Sequence, residues 1–286
     1  MNPDLVIGVP CYNGARTLLP YCLLGIRTRS GEMSRYEIVV VDDSGKPEHQ
    51  AESKAVAEHF KARWLCHEQN RGITAGWNTL CRSSDAPNIV LLNDDIIVSR
   101  DWVDAYLYFL KENPHAGAVG LGFHFIARED LTALLASPDA KVVPRHHETK
   151  ERLRPEEYLH RGGGRPGRVM CPPGCAFGFT RDKYDLVGGF DESMRQFYNE
   201  SDISTALCAQ GFPSYVLPHP LLWHIWSATF RSAPELLADD PMTRDRQKYV
   251  EKWGGDFAVT DPKFMARFKD QPTEVRWLSL DGPRSE

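Results

Sequence analysis

Residues 88–95 read Asn88-Ile-Val-Leu-Leu-Asn93-Asp94-Asp95, a short apolar run that ends abruptly in three polar side chains. A run of that length bounded by turn formers predicts a buried strand, and ligands of open α/β sheets bind at the carboxyl ends of such strands. Two earlier runs share the pattern: Leu5–Pro10 ends in Cys11-Tyr12-Asn13-Gly14, and Tyr36–Val41 ends in Asp42-Asp43-Ser44-Gly45. Between them, residues 15–29 place Leu18, Leu19, Cys22, Leu23 and Ile26 at helical spacing. The chain therefore opens as β-α-β, with a right-handed connection, and its polar clusters should meet in one crevice.

Outward from that core, residues 47–61 suit a helix, Arg63–His67 a strand, Gly72–Arg82 a helix behind an Asn70-Arg71-Gly72 turn, Trp102–Glu112 a helix and Ala116–Phe125 a strand. Residues 141–168 hold eight Lys/Arg against four Asp/Glu, with several glycines, and predict a mobile basic loop. Order returns with the Cys171-Pro-Pro-Gly174-Cys175 turn, a strand at Ala176–Thr180, helices at 182–187 and about 202–210, and a strand at Ser214–Leu217 that stops before Pro218. Residues 231–286 read as a charged tail, helical in pieces and otherwise irregular.

The 286 residues carry 34 Lys+Arg against 39 Asp+Glu, a net charge of −5, which argues against whole-chain attraction to nucleic acid or anionic lipid. With 42% hydrophobic and 26% charged residues, the composition is that of a globular protein. No window approaches the ~18 consecutive apolar residues of a membrane-spanning helix, and the start MNPDLVIGVP has no leader pattern. Seven scattered cysteines are an odd set for a disulfide scaffold, so a soluble protein of the reducing cytoplasm is expected.

Four clusters could carry chemistry. Adjacent carboxylates at Asp94 and Asp95 repel, and a divalent cation with oxygen ligands, Mg2+ or Mn2+, would relieve that cost; the cluster would also serve as a cap for the helix that follows. Asp42 suits a nucleotide's hydroxyl or N–H groups, or an ordinary Asx turn. Glu200 and Asp202, at the start of a helix, read as a general base or as first-turn acids. His224, flanked by Trp223 and Trp226, reads as a metal ligand or as part of an aromatic cluster. The sequence has neither a Gly-x4-Gly-Lys-Ser/Thr loop nor a Gly-x-Gly-x-x-Gly after its first strand, so phosphates would have to be met by a metal or by basic side chains. Cys171 and Cys175 have no second cysteine pair, which weakens a structural zinc reading.

In chain order, these pieces resemble the family 2 glycosyltransferases of the GT-A fold over roughly residues 3–230. The matching motifs are Val9-Pro10-Cys-Tyr12-Asn13, Val40-Val41-Asp42-Asp43-Ser44, Asn70-Arg-Gly72 with Asn78, Leu91-Leu92-Asn93-Asp94-Asp95, Gly188-Gly189-Phe190-Asp191-Glu192, Asn199-Glu200-Ser-Asp202 and His224, and Tyr249-Val-Glu-Lys-Trp253-Gly254 resembles a tail segment of such enzymes. The resemblance implies an α/β architecture: a Rossmann-like donor half (1–100), with a mixed, mostly parallel sheet flanked by helices, fused to an acceptor half (101–230). It implies that Pro10, Tyr12, Asn13 and Asp42 contact the nucleoside of a nucleotide-sugar donor, commonly a UDP-sugar. Asn70, Gly72, Asn78, Asn93 and Asp94 complete that donor site. By the same resemblance, Asp95 and His224 hold Mn2+ or Mg2+, and Glu200 is the base of an inverting displacement. Asp202, Trp223, Trp226 and Gly174 fall on the acceptor side.

Two positions depart from the family's usual pattern: Asn93 replaces the first Asp of Asp-x-Asp, and Asn199-Glu200 replaces Glu-Asp. The resemblance implies a hydroxyl-bearing acceptor, a glycan, lipid-linked or other substrate, and the basic loop would suit an anionic one. A sugar-phosphate nucleotidyltransferase and a non-catalytic sugar-nucleotide-binding subunit are the alternatives. Release of nucleoside diphosphate rather than pyrophosphate separates the first of these from a glycosyltransferase. The oligomeric state stays open.

Overall fold

All the runs that end in polar clusters are strands in the computed structural model, which describes residues 2–125, 135, 166–225, 233–256 and 275–276. Strands β1 (Leu5–Cys11), β2 (Tyr36–Asp42), β3 (Arg63–Cys66) and β4 (Asn88–Leu92) pair in parallel. Leu5 stands opposite both Tyr36 and Asn88, so β1 lies at the centre with its polar end beside that of β2. Helices α1 (Leu19–Arg29), α2 (Pro47–His59) and α3 (Ile73–Arg82) are the crossovers.

The continuous apolar character of these strands follows from burial on both faces. On one face Leu5, Ile7, Val9, Ile38, Val40, Val90 and Leu92 pack with residues of α1 and of α4 (Trp102–Glu112). On the other, Val6, Val39, Val41, Ile89 and Leu91 pack with Trp77 and Leu80 of α3. Each such side chain contributes roughly 1.5–3 kcal/mol on burial.

Beyond β4 the sheet becomes mixed. Its further strands are β5 (Ile96–Val98), β6 (Val119–Phe125), β7 (Gly167–Val169), β8 (Ala176–Thr180) and β9 (Ser214–His224). Among the described residues the order is β3-β2-β1-β4-β8-β6-β9-β5, with β7 on β9. Helices α5 (Arg181–Val187) and α6 (Asn199–Ala209) follow β8. In the tail, α7 (Pro241–Trp253) begins with Asp240 accepting from the Thr243 N–H and ends on Gly254 at φ 73°, as its Pro and Gly positions dictate.

Two elements correct the sequence reading. The last strand does not stop at Pro218. Leu217 opposes Leu121 while Leu222 opposes Phe123, so residues 218–221 fall in a register shift, where prolines without an N–H interrupt no regular ladder. The strand then resumes and pairs with β5, a three-residue strand too short to separate from the acidic cluster by pattern alone, putting His224 opposite Ile96. Of the expected basic loop, residues 141–165 lie outside the described residues, and Gly167 and Arg168 belong to β7.

Candidate active site

A cavity opens where β1, β2 and β4 end. Pro10, Cys11 and Tyr12 line it from β1, Asp43 and Asn70 from the loops after β2 and β3, and Asn93 and Asp94 from the end of β4. Gly174, Gln196, Phe197, Asn199 and Glu200 face them from the second half of the chain, with Ile73, Trp77 and Leu236 completing the wall. Of the expected residues, the structure thus brings Pro10, Tyr12, Asn70, Asn93, Asp94, Gly174 and Glu200 together.

The acidic cluster is a connector between β4 and β5, whereas α4 starts after Asp101, so the helix-cap reading does not hold. Asp94 is nearly excluded from solvent, and burial first, then the neighbouring Asp95, push its carboxyl up to about 8. Its Oδ2 presses on Gly14, where a Cβ would collide with it. Asp95 Oδ1 lies 3.3 Å from His224 Nε2, an approach created by the β5–β9 pairing and by the Ile225 N–H donating to the Asp95 carbonyl at 3.0 Å. Burial disfavours a charged His224, but Asp95 and Cys175 together outweigh it and hold the imidazole pKa well above its ordinary value.

Asn93 Oδ1 and Asp94 Oδ2 are buried acceptors with no hydrogen-bond donor among the described residues, and Asp95 Oδ1 is buried with the His224 imidazole 3.3 Å away. Such atoms carry a desolvation cost that a cation removes, so this donor set fits a hard divalent ion. Among the described residues no cluster of three metal-ligating side chains is preassembled; further ligands would have to come from elsewhere.

Glu200 occupies the first turn of α6, behind Tyr198 at φ 61°. Asn199 fixes that turn: its Oδ1 accepts the Glu200 N–H at 2.9 Å, and its Nδ2 donates to Thr74 Oγ1 at 3.0 Å. Burial pushes the Glu200 carboxyl up, and its backbone N–H opposes the shift. The turn at 171–175 packs directly on this side chain, since a Cβ on Gly174 would lie 3.0 Å from Glu200 Cδ. Glycine there permits this close approach, and its backbone is not left-handed.

Several expected residues are engaged elsewhere. Asp42 is an Asx turn: Oδ1 accepts Ser44 N–H at 2.8 Å and Ser44 Oγ–H at 2.5 Å, and Oδ2 accepts Ser53 Oγ–H at 2.5 Å. Its neighbour Asp43 lines the cavity and braces the 70–72 turn, accepting from Arg71 N–H and Gly72 N–H at 2.8 Å and from Asn70 Nδ2 at 2.9 Å. Gly72 takes φ 95° and runs against the Arg195 backbone, where a Cβ would be 2.7 Å from the carbonyl oxygen. Asn78 fastens the 188–192 loop, accepting from Tyr184 OH and Phe190 N–H and donating to the Phe190 carbonyl and Glu192. Asp202 accepts from Lys252 and Trp253 of the tail. Trp223 packs with Leu18, Ile97 and Ile225. Asn13 follows Tyr12 without lining the cavity, and Trp226 lies outside the described residues.

Asp43 was within reach of the sequence. It shares the two-residue period of Val39 and Val41, as Tyr12 shares that of Val6, so both point to the α3 side of the sheet. Cys11, Trp77 and Gln196 carried no such signal. Leu236, in a 3-10 turn at Pro234–Leu237 of the tail, carried none either.

The family model described as Glycosyl transferase family 2 matches residues 6–184, more than half of the chain and short of Glu200 and His224. A mannosyltransferase from Pyrobaculum calidifontis, solved with GDP-Man and Mn2+, is structurally similar at a TM-score of 0.58 and 17% identity, covering 94% of this chain and 68% of its own. GalNAc-T7, solved with UDP, GalNAc and Mn2+, gives a TM-score of 0.65 at 13% identity, covering 93% of this chain and 50% of its own. S. aureus TarS gives 0.56 at 12% identity, covering 85% and 42%. This chain therefore spans half or less of the length of the last two. No curated protein matches it by sequence. Among the described residues no helix is long and apolar enough to cross a membrane. With its GT-A sheet and a cavity at the strand ends, the chain belongs to glycosyl transferase family 2 and is a glycosyltransferase.

Proposed function

We propose that this glycosyltransferase moves a sugar from a nucleotide-diphosphate sugar, of the UDP class, to an acceptor hydroxyl with inversion at the anomeric carbon, using Glu200 as general base. The observation that carries this reading is that Glu200 lines one cavity together with Asn93, Asp94, Pro10 and Tyr12. Pro10, Tyr12, Asn70 and the Asp43 brace form the side for the nucleoside. Asp95 and His224 are the residues that would hold Mn2+ or Mg2+, which supplies positive charge against the leaving diphosphate when bound. The similarity to proteins solved with Mn2+ and nucleotide or nucleotide sugar supports that choice.

Glu200 does the proton work. Its carboxylate accepts the proton of the attacking hydroxyl, and the raised pKa that burial gives it makes it a stronger base than an exposed glutamate. Gly174 leaves room for this carboxylate and is the one expected acceptor-side residue on the cavity wall. Residues 1–100 form the donor half and 101–230 the acceptor half. The acceptor is a glycan, lipid-linked or other hydroxyl-bearing molecule, and the basic 141–168 stretch suits an anionic one. Seven free thiols agree with a reducing, cytoplasmic setting.

The test is a panel of UDP-, GDP- and dTDP-sugars with Mn2+ and hydroxyl acceptors, read for nucleoside diphosphate release and, by proton NMR, for the anomeric configuration of the product. UDP release with an inverted product is expected. A parallel arm supplies a nucleoside triphosphate with a sugar 1-phosphate, and pyrophosphate release there would favour a nucleotidyltransferase; in the main panel a retained configuration would remove the single displacement.

A further inference from the structure

Helix α7 lies beyond the residues matched by the family model and beyond the donor half, yet one stripe of it faces the segment that carries Glu200. The stripe is Asp245, Tyr249, Lys252 and Trp253, spaced i, i+4, i+7 and i+8, which places the four on one side of a helix. Asp245 is fully buried, and its Oδ2 accepts two consecutive backbone N–H groups, Gln196 at 2.8 Å and Phe197 at 3.1 Å. Its Oδ1 takes Arg244 Nε at 3.0 Å. Tyr249 OH shares a 2.6 Å hydrogen bond with Thr205 Oγ1, and its ring centroid is 5.2 Å from that of Tyr198. Lys252 Nζ and Trp253 Nε1 donate to the two oxygens of Asp202 at 2.9 and 2.7 Å.

These contacts hold the chain on both sides of Glu200. Gln196 and Phe197 line the cavity, and Tyr198, which starts α6, adopts a left-handed angle that a tyrosine keeps only when its surroundings enforce it. A carboxylate buried as deeply as Asp245 is stable only when fully hydrogen-bonded, and the two amides of the base loop are its partners beside Arg244. A shift of about 1 Å in a catalytic group can cost on the order of 100-fold in rate.

We propose that α7 is the positioning element of the base, with Asp245 the positioning residue that fixes the 196–199 backbone and thereby aims Glu200. The proposal rests on Glu200 being the base. It assigns the charged tail a role in the chemistry of the cavity, although none of these four side chains is among the cavity-lining residues.

The test uses Asp245→Ala and Asp245→Asn in the full chain. Three quantities are read: kcat and donor KM with whichever donor and acceptor give turnover, the Kd of UDP with Mn2+, and amide hydrogen exchange of residues 193–202. For Asp245→Ala, kcat falls at least tenfold, donor KM and the UDP Kd stay within twofold, and the Gln196 and Phe197 amides exchange at least tenfold faster. Asp245→Asn, which keeps an acceptor oxygen, recovers kcat to within threefold of the unaltered protein. An unchanged kcat despite faster exchange overturns the proposal. So does a parallel loss of kcat and UDP affinity, which would mean general structural support. Should Asp245→Ala not fold, Tyr249→Phe and Trp253→Phe each remove one polar contact, and a kcat lowered at least threefold at constant Kd is expected; two unaffected variants overturn the proposal. Transfer retained by Glu200→Gln would instead remove the base itself. An inactive Glu200→Gln beside a fully active Asp245→Ala removes only the positioning role.

Discussion

Glu200 sits against a glycine on one side and an asparagine on the other, and its titration reports how well that niche excludes water. Burial raises its pKa, so the base form is lost, as pH falls, at a higher pH than for a free glutamate near 4.3. The acid limb of kcat/KM is therefore expected above pH 4.3, with activity rising as Glu200 deprotonates; a limb at or below that value contradicts the assignment. The residue scale also shows how far identity alone can be read. Asp42 and Asp43 are the same residue type at adjacent positions, and only the two-residue period of β2 separates the one locked by Ser44 and Ser53 from the one that faces the cavity. Asp202 reads as a first-turn acid of α6, and nothing in its own neighbourhood of sequence announces Lys252 and Trp253, some fifty residues on.

Elements whose buried face has a regular period were legible, and those made by distant partners were not. Strands β1, β2 and β4 are apolar because helices cover both faces, and that shows in the sequence. The extension of β9 through Pro218 and Pro220 depends on a register shift against β6 that no local pattern encodes. Yet that extension is what carries His224 to Asp95. Helix α3 gives a second case. Its Asn78 makes four hydrogen bonds to Tyr184, Phe190 and Glu192, which fasten α3 to the 188–192 loop, and it does not line the cavity. Asn78→Ala leaves the buried Phe190 groups unpaired and is expected to cost about 3 kcal/mol in denaturant unfolding, with the UDP Kd changed less than threefold. A large loss of UDP affinity at unchanged stability would return Asn78 to the donor site.

Across the whole molecule, the net charge of −5 hides an uneven distribution: acidic side chains gather where the strands end, in a setting that favours a cation. If Asp95 and His224 hold a divalent ion together with a nucleotide, binding to the folded state alone must stabilise the protein. UDP at 100 times its Kd with Mn2+ should raise stability by about 2.7 kcal/mol, seen as a higher Tm. UDP without the metal should raise it far less, and Asp95→Ala should abolish the difference. A metal-independent shift of equal size contradicts the proposed ligand pair.

In the proposed reaction one carboxylate, Glu200, takes the proton of the acceptor. Transfer and UDP binding measured on Glu200→Gln test it most directly, because glutamine keeps the size of the side chain and removes only its basicity. The expected result is a kcat lowered by on the order of 100-fold or more, with the Kd of UDP and Mn2+ within twofold and a Tm that does not fall, since a buried carboxylate with a raised pKa is replaced by a neutral amide. Transfer at the unaltered rate in that folded, nucleotide-binding variant would contradict it.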